Sequence, residues 1–201
     1  MHGLIFKTFQ VFVQDTYGQR RWEDIAAEAG LETPDFEAML TYEQALLQTV
    51  VGAAERVLGK PCSLFLEDIG TYLVSHPNRE GLRRLLRFGG VDFIEFLHSL
   101  DDLPGRARLA VPDLNLPELE LQDHGACRFV LNVVGNMPSF GHVMVGVMRA
   151  MADDYGALVL LDHKGGEDGL KVIEITVVET AFAEGREFDL SGPVAAGRAS
   201  A

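Results

Sequence analysis

The chain of 201 residues is 47% hydrophobic and carries a formal net charge of −13, which is enough apolar material for one full core or two small ones closely joined. Such an excess of carboxylates repels nucleic-acid phosphates and anionic membrane surfaces, so no nucleic acid is expected as a partner and proteins or small molecules are. Nowhere do about 18 apolar residues run uninterrupted, and the opening MHGLIFKTFQVFVQD is broken by Lys7, Gln10 and Gln14, so no membrane span or cleavable signal is expected and the cytoplasm is the expected compartment.

The N-terminal half reads as helices. Leu4, Ile5, Phe9, Phe12 and Val13 share one helical face, the Tyr-Gly pair at 17–18 ends that segment, and RRWEDIAAEAGL forms a short helix closed by Gly30. Leu46, Leu47, Val50, Val51, Ala54 and Leu58 predict a helix over about 42–58 that stops at Gly59. Pro61 suits the first turn of another, running to about 76 with Pro77 beyond its end, and REGLRRLLRFG and VDFIEFLHSLDDL are two further helical pieces.

After Pro104 the pattern changes. LPELELQD and CRFVLNVVG alternate and are rich in β-branched residues, with Asp123, His124 and Gly125 as the hairpin turn. Phe140, Val143, Met144, Val147, Met148 and Met151 recur at steps of three and four and predict a long helix over about 139–155. GALVLLDH and LKVIEITVVE, split by KGGEDG, predict a second hairpin, and the Gly-, Ala- and Ser-rich segment 181–201 is expected to be a loose tail. A helical half followed by β-β-α-β-β places the chain in the α+β class.

Sites of chemistry are sparse. Cys62 and Cys127 lack metal-type spacing and read as ordinary thiols. GNMPSFG lacks the Lys-Ser/Thr of a phosphate loop and reads as a turn. The carboxylates of LEDIG and LDDLPG are explained by solvation, and no Ser, His and Asp spacing suggests a nucleophilic triad, so the chain is not expected to be an enzyme.

The segments MHGLIFKTFQVFVQDTYG…RRWEDIAAEAGL, GAAERVLGKPCSLFLEDIGTYLV, IEFLHSLDDL and HVMVGVMRAMADDYG resemble the haem nitric-oxide/oxygen-binding (H-NOX, HNOB) family, found alone in bacteria and as the regulatory domain of soluble guanylate cyclase. The likeness spans about 1–180 and implies a single domain, with a distal helical lobe over 1–60, a proximal lobe over 61–180 and a large flat pocket between them. It also implies nitric-oxide or oxygen sensing, and a signalling partner such as a histidine kinase or a cyclic-nucleotide enzyme.

Two departures stand against that pattern. In the family, L-D-x-L is followed directly by the histidine that is the sole protein ligand to haem iron; here that place is taken by Pro104, whose ring has no lone pair to give. The family's Tyr-x-Ser-x-Arg clasp for the haem propionates falls on Val133, Gly135 and Met137, none of which carries a charge or donates a side-chain hydrogen bond. No cofactor is therefore expected in the family's standard mode, and haem only with an atypical ligand, for which His98 and His142 are the candidates.

By position in the resemblance, Ile5, Phe9, Leu73, Val74, Pro104, Pro117, Val143 and Val147 line the pocket; the same apolar stripe also reads as plain core packing. Arg79, Arg83, Arg84 and Arg87 cluster in an acidic chain, the last three on one helical face, where local carboxylates, an anionic ligand or an acidic partner would each account for them. The expectation is an H-NOX-like sensory or regulatory domain that binds another apolar ligand or a protein partner. The alternatives are a haem-dependent gas sensor with His98 or His142 as ligand, and a purely structural interaction domain with a fully packed interior.

Overall fold

The computed structural model describes residues 1–137, 139–165 and 171–186 of the chain. Four helices come first: α1 (Gly3–Tyr17), α2 (Gln19–Glu28), α3 (Gln44–Leu58) and α4 (Cys62–Ser75). The His2 imidazole caps α1 by accepting from the Leu4 N–H at 3.1 Å, satisfying one of the amide groups a helix start leaves orphaned. A 3₁₀ turn at Pro77–Arg79 leads into α5 (Glu80–Arg87), and α6 (Phe93–His98) starts where the Asp92 side chain accepts from the Glu95 N–H.

The segment expected as one helix over about 91–103 is instead α6, a 3₁₀ turn at Leu100–Asp102, and a new helix, α7 (Leu103–Ala110). Pro104 does not end the helical half. It stands in the first turn of α7, where a missing N–H leaves no hydrogen bond unmade.

The remainder follows the predicted order: β1 (Glu118–Asp123), β2 (Arg128–Val134), α8 (Phe140–Tyr155), β3 (Leu158–Gly165) and β4 (Lys171–Glu179). The sheet is antiparallel with strand order β1-β2-β4-β3. Leu119, Leu131, Val133, Ile173 and Ile175 turn inward while Glu118, Glu120 and Glu174 turn out, the period-two alternation of a sheet with one wet face. Met144, Met148 and Met151 of α8 share that apolar core.

Two cores result. The first gathers Phe6, Phe9, Phe12, Trp22 and Phe65, and the second joins the sheet, α6 and α8. Helix α4 serves both, giving Leu66, Ile69 and Tyr72 to the first and Val74 to the second. Of the expected loose tail, residues 182–186 are held at the end of α8: Phe182 and Ala183 donate to the Gly156 carbonyl and Arg186 to that of Asp154. Most of that tail and of the KGGEDG loop lies outside the described residues. No described helix is long and apolar enough to cross a membrane.

Candidate functional site

Helices α4 and α8 cross where Gly70 meets Gly146, with backbone against backbone. Beside this crossing, between the two cores, lies a cavity of about 430 Å³, a size in the usual range for small-molecule sites. Helix α1 contributes Leu4, Ile5 and Phe9 to its wall, and α4 contributes Leu66, Ile69 and Leu73. Facing them are Leu82, Leu85 and Leu86 of α5 and Leu103, Ala107 and Ala110 of α7. Phe140, Val143, Met144 and Val147 of α8 complete it.

Of the residues singled out in the sequence, Ile5, Phe9, Leu73, Val143 and Val147 come together on this wall. Val74, Pro104 and Pro117 do not. Val74 follows Leu73 on α4 and is turned by about 100° into the second core, where it is 2% exposed. Pro104 is buried, but the same turn sends its neighbour Leu103 to the cavity in its stead. Pro117 is buried against Gly135 ahead of β1.

The clasp positions also part company. Val133 is buried in the sheet, Gly135 sits at φ 149° beside Pro117, and Met137 lines the cavity with a thioether. His98 is half-exposed, edge-on to Phe129 and 3.9 Å from the Asp123 carboxylate. His142 lies against His163, ring centres 4.2 Å apart, and 3.8 Å from the Glu67 carboxylate. Burial, then the neighbouring His142 and Lys171, hold the His163 imidazole below its ordinary pKa. Neither candidate ligand lines the cavity.

The polar groups on the wall are few: Thr8, Asn78, Arg79 and Ser139. The Arg79 guanidinium lies 5.6 Å from the centre of the Tyr72 ring, and its Nε is buried without an acceptor. Tyr72 donates its hydroxyl to Asp15 at 2.5 Å, and burial followed by that bond raises the phenol's pKa. The sequence sets Arg79 off the helical face shared by Arg83, Arg84 and Arg87 but does not place it at the cavity; the fold does, and it turns Arg83 and Arg87 the other way to pair with the 1%-exposed carboxylate of Asp154. Arg87 also lies 3.9 Å over the Tyr155 ring, whose phenol pKa is raised chiefly by burial.

Haem held in the manner the resemblance implies needs an imidazole on the iron and a cationic, hydroxylated clasp for two propionates. No histidine lines the cavity among the described residues, and Arg79 is its single cation. The soft donors on the wall are the thioethers of Met137 and Met144. This donor set does not fit histidine-ligated haem, whereas its apolar walls fit a hydrocarbon body well.

The model of the haem-NO-binding family (HNOB) matches residues 2–163. Among curated proteins, the chain is 23% identical over 154 residues to soluble guanylate cyclase gcy-31 of Caenorhabditis elegans, covering 77% of this chain and 22% of that protein. It is 20% identical over 158 residues to soluble guanylate cyclase 89Db of Drosophila melanogaster, covering 79% and 24%. The chain thus spans less than a quarter of the length of these relatives. Among solved structures, the Fe(II) unliganded H-NOX protein of K. algicida superposes with a TM-score of 0.77 at 19% identity, covering 92% of this chain and all of that one. An Fe(II) H-NOX protein of S. oneidensis, carrying three alanine substitutions, gives 0.74 at 15% identity, covering 90% and 97%. These likenesses carry the same α+β fold.

Proposed function

Because the chain belongs to the haem-NO-binding family, whose domains sense nitric oxide and oxygen, we propose that it is a sensory or regulatory domain whose ligand is an apolar molecule seated between the two cores, in place of histidine-ligated haem. The observation that carries this reading is the cavity itself, about 430 Å³, walled by leucines and without an imidazole among the described residues. A purely structural domain would be packed at this point.

Helix α5 supports a route from ligand to output. Its Leu82, Leu85 and Leu86 face the cavity, while Arg83 and Arg87 grip Asp154 near the end of α8. The Asp154 carbonyl in turn accepts from Arg186, so a shift of α5 is felt where the chain leaves the sheet and helix core. A ligand acts as a switch here by preferring one placement of α5 over another by a few kcal/mol. The receiver is a signalling protein: a cyclic-nucleotide enzyme, as the soluble guanylate cyclase relatives suggest, or a histidine kinase.

Native mass spectrometry of protein purified from its own cells tests the reading. An added small-molecule mass with no Soret absorbance is expected. A bound haem whose Soret band disappears in His98→Ala or His142→Ala would replace it with the gas-sensor alternative.

A further inference from the structure

Arg79 stands apart from the other arginines of its cluster. Arg83 and Arg87 share Asp154, and Arg84 pairs with Glu80 at 3.3 Å. Among the described residues no carboxylate forms an ion pair with Arg79, in a chain of net charge −13. Its aromatic neighbour Tyr72 donates its hydroxyl to Asp15 and presents only a neutral oxygen and a ring face to the guanidinium. The guanidinium thus borders an apolar cavity with its Nε–H buried and unbonded and no carboxylate beside it. A buried donor left unmade is unfavourable; the Nε groups of Arg84 and Arg106 share that condition, but Arg79 alone of these three lines the cavity.

Resting on the apolar-ligand reading above, we propose that the ligand is a long-chain monocarboxylate of the fatty-acid class, its hydrocarbon chain filling the cavity and its carboxylate paired with Arg79. A guanidinium matches a carboxylate by presenting parallel N–H donors. The neighbouring Asn78 also lines the cavity and is of a type that can add a neutral donor. One cation suits one anionic group, so a tetrapyrrole with two propionates would leave the second unpaired.

Titration calorimetry of the full chain with two series, alkanoates from dodecanoate to octadecanoate and alkanols of the same lengths, tests the assignment. Both series are expected to bind, gaining up to about fourfold per methylene until the cavity is full, with each alkanoate about tenfold or more tighter than its alkanol. Arg79→Gln removes that preference, so that each alkanoate binds no tighter than its alkanol, while Arg79→Lys retains part of it. Alkanol binding confirms that Arg79→Gln is folded. Equal affinity of the two series in the native chain, or a preference that survives Arg79→Gln, overturns the carboxylate assignment and leaves the apolar-ligand reading standing. Failure of both series to bind overturns both.

Discussion

A Cβ built on Gly146 would lie 3.0 Å from the Cα of Gly70 and run into the Glu67 carbonyl oxygen, so α4 and α8 cross with no side chain between their backbones. A Cβ on Gly70 would strike the Val143 carbonyl and the Val147 N–H. This contact fixes the spacing of α4 and α8, both of which wall the cavity. Neither position can take a methyl group without moving backbone, which yields less readily than a side chain.

Gly146→Ala is therefore expected to lower the free energy of unfolding by about 1–3 kcal/mol or more, read as a lower urea midpoint. Gly52→Ala provides the control, because a Cβ there meets only the end of the Arg56 side chain at 3.5 Å. Similar midpoints for the two variants would show that the crossing is loose.

The Asp154 carboxylate is 1% exposed and held by Arg83 at 2.7 Å and Arg87 at 3.7 Å. Removing one side of a buried pair leaves its cations desolvated, so Asp154→Ala is expected to destabilise by about 3–5 kcal/mol. Asp68→Ala, which breaks the more exposed pair with Lys60, is expected to cost about 0–1 kcal/mol. Chemical denaturation of the two variants side by side reads the difference.

Acid should loosen the junction of α4, α8 and β3. The folded His163 imidazole is held below its ordinary value near 6.5 by burial, His142 and Lys171, with Glu67 opposing them. The unfolded chain therefore takes up the proton before the folded chain does. Stability from this group is complete above the ordinary imidazole value and is lost as pH falls through the lower folded one. His163→Gln is expected to flatten the fall of the urea midpoint between about pH 7 and pH 5; an unchanged slope would remove His163 from the account.

Val143 lines the cavity and packs against both cores. Val143→Phe places a ring in the open space, so thermal stability is expected to hold within about 1.5 kcal/mol while affinity for alkanols falls at least tenfold. Retained affinity would locate binding elsewhere.

The helical face of α1, the alternation of the strands and the spacing of the α8 methionines were legible from residue pattern because each repeats the period of its element. Helix α7 was not: Pro104 reads as a boundary in a linear scan, yet it also suits the first turn of a helix, and only the fold selects between the two. Leu73 and Val74 show the same limit at the site, since adjacent apolar residues on α4 face different cores and the sequence does not say which faces the cavity. The pairing of Arg83 and Arg87 with Asp154 spans about 70 positions and has no local signature.

Absorption spectroscopy of the full chain after reconstitution with ferrous haem tests the central claim most directly, since the claim is that no imidazole serves this cavity. Once unbound haem, which itself takes up nitric oxide, has been removed by gel filtration, the expected result is protein without a Soret band, the same in His98→Ala and His142→Ala. A stoichiometric Soret band that shifts with nitric oxide and is lost in either variant would contradict it.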